Sequence, residues 1–264
     1  MNATTTFIGH IGRKTLDAGG ALRVTLAFTA RILLHFFARR TYNSASRMVF
    51  IHQFYFTAIQ ILPLFLLVAV IFGSLVNGMA FQVIKNLGLT DFLGRLLMGF
   101  IVTEIGPFIT VLLIALRSSS AINAEIAVMK VNQELNTLEY FRIDLIDYLF
   151  VPRILSGMLS MVLLSSLFAM VVLTIGLFVS SVVFGTSVDA YIETLLNSTT
   201  LPDMVVVLLK CALFGFFITL IPIRRGLQAS QDLSSIPVAV LNGMVMVFVA
   251  IVVIEVLSSI VRFI

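Results

Sequence analysis

The chain has 264 residues, 59% hydrophobic and 11% charged, with a mean hydropathy of +1.10 and a formal net charge of +4. A soluble domain carries about 25% charged residues, so there is too little polar surface to wet a water-facing exterior, and a soluble enzyme is excluded. The apolar residues fall in continuous runs long enough to cross a hydrocarbon core of about 30 Å, unlike the short alternating segments of a transmembrane β-barrel, so the expected class is an all-α integral membrane protein.

The first twenty residues, MNATTTFIGHIGRKTLDAGG, have no apolar stretch followed by a small-residue cleavage site, so the segment is expected to be retained. From Thr15 to Phe37 apolar residues recur at helical spacing (Leu22, Leu26, Ile32, Leu33, Phe36, Phe37), with Arg23, Arg31, Arg39 and Arg40 interleaved. That pattern predicts an amphipathic helix in the membrane interface, because two arginines at mid-bilayer depth would be costly. Residues 1–50 are therefore expected to form a cytoplasmic and interfacial segment, and residues 51–264 the membrane domain.

Five transmembrane helices are predicted over about 51–76, 92–116, 154–184, 204–223 and 238–261. The third is too long for the bilayer unless it tilts or protrudes. An odd number of spans separates the termini. On the side of the N-terminus lie Arg13, Lys14, Arg23, Arg31, Arg39, Arg40, Arg47, Arg117, Lys130, Arg142, Arg153, Arg224 and Arg225, whereas the other side has only Lys85, Arg95 and Arg262. The excess of positive charge predicts a cytoplasmic N-terminus and a periplasmic C-terminus. Nothing in this bias calls for nucleic acid, since there is no soluble basic face with interleaved aromatics.

The segment Arg117 to Arg153 is the longest charged stretch between spans. Within it Ile126, Met129, Val131, Leu135 and Leu138 form an apolar pattern, and Glu125, Lys130, Gln133, Glu134 and Glu139 a polar one. The expected element is an amphipathic helix over about 124–140. Its polar face has more acids than bases, which suits a protein partner better than anionic headgroups, and a transporter driven by a separate ATPase needs such a docked helix. Within the spans, Glu104 in TEIGPF is the costliest residue to expose to lipid, so it is expected to face a protein interior or a wet cavity. Gly106 and Pro107 follow it and are expected to break the helix there. Glu255 and Lys210 are candidates for the same cavity or for ion pairing with Glu104.

No catalytic constellation is visible. There is no G-x-S-x-G elbow, no phosphate-binding loop and no histidine near a span centre, so the chain is not expected to hydrolyse ATP alone. Cys211 is the only cysteine, and His10, His35 and His52 lack zinc-motif spacing, so no metal site is expected. Gly73, Gly78 and Gly88 are expected at helix-packing positions.

Glu104-Ile-Gly-Pro, Ala115-Leu-Arg-Ser-Ser-Ser-Ala, Ala124-Glu-Ile-Ala-Val-Met-Lys-Val-Asn-Gln-Glu-Leu and Pro152-Arg-Ile together resemble the MlaE (YrbE) permease family. These are the membrane subunits of bacterial MCE-type lipid ABC transporters. The resemblance covers most of the chain from about Ile51. It implies a homodimer in the inner membrane, with an ATPase that binds ATP and Mg²⁺ on the cytoplasmic side, often a STAS-domain protein, and an MCE-domain protein outside. The cargo it implies is phospholipid held between the two permeases, with no cofactor in this chain itself. By position, it implies that Glu104, Gly106, Pro107 and Glu255 belong to the substrate region. Glu125, Lys130, Gln133, Glu134 and Glu139 fall in the helix that couples to the ATPase. The chain departs from the family pattern at Thr103, where arginine is common, and at Leu116-Arg117-Ser118-Ser119. It also lacks a proline after Asp144 and has a less glycine-rich end to its first span. Two other classes compatible with the residues are an intramembrane lipid-modifying enzyme, which needs Glu104 and Glu255 close together, and a membrane scaffold, which needs no cavity.

Overall fold

The computed structural model describes residues 23, 27–36, 38, 41, 43–87, 93–185 and 187–263. It is built of helices: α1 (Ala27–Phe36), α2 (Ser44–Ile84), α3 (Gly94–Val131), α4 (Glu134–Tyr140), α5 (Ile146–Val182), α6 (Val188–Asn197), α7 (Leu201–Gly226) and α8 (Ser235–Arg262). Five of them, α2, α3, α5, α7 and α8, are long and apolar enough to cross a membrane. At 1.5 Å per residue even the 26 residues of α7 reach about 39 Å. All five are longer than the hydropathy of the sequence predicts. At the end of α3, burial of Ile122, Ile126 and Ala127 lets the helix continue past its apolar run.

The short connections follow from local chemistry. Gly185, at φ +66°, ends α5 in the left-handed region where glycine has no Cβ to clash. Ser187 caps α6 by accepting from the Ala190 N–H, and Thr200 caps α7 by accepting from the Asp203 N–H. The bundle thus has one end carrying α4 and another carrying α6.

α5 and α7 form the centre. A Cβ added to Gly215 of α7 would lie 2.5 Å from the Met158 Cα and 2.7 Å from the Gly157 carbonyl oxygen, so this crossing requires glycine. α2 and α3 flank α5, while α8 packs on α7 and on the last turns of α3. The main apolar core gathers Phe65, Met161, Phe168 and Phe214, and a second core at the α4 end gathers Ile32, Ile126, Phe150 and Ile154. α1 docks on this second core. Ile32 is fully buried, and Phe28 and Phe36 pack edge-on or tilted against Phe150 and Phe216. The interfacial helix read from Thr15 to Phe37 can be described only over this part, since residues 1–22 lie outside the described residues. Gly73 sits in van der Waals reach of Val172 and Ile175 as a packing position should, but Gly78 faces open space, and Gly88 lies outside the described residues.

Two expectations are corrected. First, Gly106 and Pro107 do not break α3. The helix takes a π-helical course over Leu97–Ile105, the Gly106 N–H donates to the Ile101 carbonyl, and regular α-helix resumes at Gly106. Proline is tolerated in that first regular turn. Second, the helix expected over 124–140 is two pieces. Its first half is the end of α3, which runs through Arg117 to Val131, and the chain then turns at Gln133, at φ 61°, before α4. Burial of Ile122, Asn123, Ile126 and Ala127 holds α3 helical where charge density alone reads as a loop.

Candidate functional site

Three helices bring four charges together. Lys210 of α7 is 3% exposed, and its ammonium donates to Glu104 of α3 and, at 2.9 Å, to Glu255 of α8. Arg262, at the end of α8, donates to the other Glu104 oxygen at 3.0 Å, and also to the Thr103 hydroxyl and the Gly99 carbonyl. Pro107 cannot donate to the Thr103 carbonyl four residues earlier; that oxygen accepts from Lys210 at 3.4 Å instead. Two cations and two anions leave the cluster formally neutral, the condition under which charges are tolerable away from water. Arg262 places a guanidinium beside Thr103 from another helix.

Next to this cluster lies a cavity of about 550 Å³. Met98 and Val102 of α3, Ala169 and Met170 of α5, and Val207 and Leu208 of α7 supply its apolar walls, and Arg95, Asp203 and Arg262 its charged rim. Met98 and Val102 lie four apart on α3, Ser166 and Ala169 three apart on α5, and Met204 and Leu208 four apart on α7, so each helix contributes one face. Met170 and Leu208 are 64% and 49% exposed on the bundle surface, so the cavity opens sideways as well as toward the α6 end. Glu104 is not in its wall. Together with Lys210 it borders a much smaller space that shares Thr103, Asp203, Val207 and Arg262 with the cavity. Gly106 and Pro107 are buried, and a Cβ on Gly106 would meet the Phe168 ring at 3.2 Å, so these two residues pack α3 on α5. Glu255 joins the site through Lys210 and lies directly against Glu104. The enzyme alternative asks for Glu104 and Glu255 to be close. They are, but with a shared ammonium as their counter-ion.

At the α4 end, Glu134 and Glu139 are exposed and Lys130 and Gln133 half-buried. Gln133 accepts from Asn136 and so serves its own turn. Glu125 accepts from Arg153 Nη2 at 2.5 Å, and Arg153 is only 5% exposed at the start of α5. Glu125 therefore joins α3 to α5 while its side chain remains half-exposed. The residues that stand out at this end are Tyr140 and Phe141, 86% and 68% exposed with their rings 6.1 Å apart, neither of which carries a charge. Two adjacent exposed aromatics were the available clue, since such residues are enriched at binding hot spots.

His35 of α1 is a second residue whose place could not be read from spacing. Its Nδ1 lies 2.6 Å from Asp147 Oδ1, and Thr41 donates to the same oxygen at 2.7 Å. Asp144 is also within reach, which makes three groups close enough to share a metal ion. Here the His35–Asp147 contact ties α1 to the start of α5.

A polytopic helical membrane protein with a buried, neutral charge cluster beside an apolar cavity is the class these features define. The sequence profile of the family described as Permease MlaE matches residues 50–261, so the chain belongs to the MlaE permease family. It is 30% identical over 167 residues to a protein of Synechocystis sp. named "Probable ABC transporter permease protein", covering 62% of this chain and 64% of the relative. The "Intermembrane phospholipid transport system permease protein MlaE" of Haemophilus influenzae is 29% identical over 169 residues, 61% of this chain and 60% of the relative. The chloroplastic "Protein TRIGALACTOSYLDIACYLGLYCEROL 1" of Arabidopsis thaliana is 28% identical over 188 residues, 69% and 54%. The chain thus spans less than two thirds of the length of these curated relatives.

Proposed function

We propose that this chain is the permease subunit of an MCE-type lipid ABC transporter, moving phospholipid between the inner membrane and an MCE-domain protein under the power of a separate ATPase. The observation that carries this reading is the family match over residues 50–261, and a relative named for phospholipid transport supplies the cargo class. The active unit is a homodimer. The apolar face of α8, with Val245, Val249, Val252 and Val256 all exposed, supports a second copy or lipid on that side. The N-terminus and the α4 end are cytoplasmic, in keeping with the basic residues there. A STAS-domain protein completes the cytoplasmic assembly.

In the mechanism we infer, ATP and Mg²⁺ act only in the partner. The ATPase grips α4 around Tyr140, Phe141, Glu134 and Glu139. Its movement reaches α5 through the Glu125–Arg153 ion pair, and α5 is one wall of the cavity beside Glu104. The charge cluster keeps α3, α7 and α8 in register while that wall moves. Isolation of the tagged protein from native membranes in mild detergent, followed by mass spectrometry, tests the assembly. An ATPase and an MCE-domain protein are expected in stoichiometric amounts. Recovery of the chain alone, in a detergent that keeps other transporters whole, overturns the reading.

A further inference from the structure

We propose that the cavity between α3, α5 and α7 is a slot for one acyl chain of a phospholipid, entered sideways from the bilayer and lying within a single copy of the chain. It is separate from any space between two copies. It requires only that the chain sits in a bilayer, so it stands apart from the transport reading.

Size is the first argument. At roughly 30 Å³ per water-sized group, about 550 Å³ takes some 18 such groups, which is one acyl chain and not two. The walls are the second. Met98, Met170 and Met204 line it with flexible thioethers, which adapt to a chain that has no fixed shape. The hydroxyl of Ser166, the most exposed polar group on α5 at this point, donates to the Val162 carbonyl at 2.9 Å and offers the cavity little polarity. The lateral opening is the third. Met170 and Leu208 stand both in the wall and on the bundle surface, so a lipid can leave its second chain in the bilayer.

The rim decides the headgroup. Arg95 and Arg262 lie at the mouth with Asp203, in the first turn of α7. The three bonds of Arg262 to Gly99, Thr103 and Glu104 all leave from Nη1, and a guanidinium has five N–H donors in a fork that matches a phosphodiester. Asp203 suits the ammonium of a zwitterionic headgroup. An uncharged amphiphile gains nothing from this rim.

The test uses the full chain in vesicles of phosphatidylethanolamine and phosphatidylglycerol containing a trace of phosphatidylethanolamine with a diazirine in one acyl chain. After irradiation, adducts are mapped by mass spectrometry. They are expected on Met170, Val207 and Cys211. Filling the slot by Ala169→Phe or, if that variant does not fold, by Ser166→Leu, is expected to lower these adducts about tenfold and to leave adducts on the outer face of α8 unchanged. Arg95→Gln is expected to lower them with the phospholipid probe and not with a diazirine fatty alcohol. Adducts confined to α8 and other outer faces, or cavity adducts that persist undiminished in both filled variants, overturn the proposal. Because no ATPase is present, the outcome is independent of whether the chain assembles into a transporter.

Discussion

The guanidinium of Arg262 donates to the hydroxyl of Thr103, although the two residues are 159 positions apart. The same group reaches Glu104, so a cation from the end of α8 stands beside both Thr103 and Glu104. The cation beside Thr103 thus comes from another helix.

Arg262→Ala should cost about 1–3 kcal/mol of stability by removing one of the two cations on Glu104 and the donor to Thr103. Thr103→Arg should recover at least half of the loss in the Arg262→Ala background while destabilising the wild type through like charge. Thermal unfolding followed by size-exclusion chromatography reads both effects. No recovery in the double variant would show that position, and not charge, is what matters.

Lys210 is the only counter-ion described for Glu255 and one of two for Glu104. Lys210→Met removes it and is expected to cost about 3–5 kcal/mol, as breaking one partner of a buried ionic set does. Glu255→Gln added to Lys210→Met should restore most of it, because Glu104 keeps Arg262 as its counter-ion and no uncompensated charge is left. Expression level and melting temperature are the readouts, and a double variant as unstable as the single one contradicts the ion-pair account.

Glu125 and Arg153 should behave as a pair. Each single alanine variant is expected to weaken the chain, Arg153→Ala through lost packing as well as charge. The double variant should be less damaging than the sum, with a coupling of about 0.5–3 kcal/mol. The charge swap Glu125→Arg with Arg153→Glu is the sharper check on coupling to the ATPase: assembly should survive if the pair acts within the chain, whereas additive losses place Glu125 in the docking surface after all.

Tyr140 and Phe141 contribute little to the fold, being mostly exposed. Replacing both by alanine should leave the unfolding free energy within about 1 kcal/mol of wild type, at ~0.5 kcal/mol per surface site, and lower co-purification of an ATPase at least tenfold, the effect of a hot spot of ~2 kcal/mol. Unchanged recovery would move the docking surface elsewhere on the α4 end.

At Gly215 the requirement is steric. Even Gly215→Ala places a methyl group 2.5 Å from the Met158 backbone, so α5 and α7 must separate, at about 1–3 kcal/mol. A melting temperature equal to wild type would mean that the two helices approach less closely than described.

The membrane class, the five spans and their order were legible from residue order because hydropathy is a local quantity read against a fixed bilayer thickness. Glu104 stood out for the same reason, since a carboxylate inside an apolar run is visible without knowing its neighbours. The partnership of Lys210 with both Glu104 and Glu255, the arrival of Arg262 at Thr103 and the pairing of Glu125 with Arg153 were decided only in three dimensions. They depend on how each helix is rotated about its axis and on which ones cross, and close packing at positions such as Gly157 and Gly215 sets both. The continuation of α3 to Val131 belongs with them, because burial of Asn123 and Ile126 outweighs a stretch of sequence that, taken by itself, has the polarity of a loop.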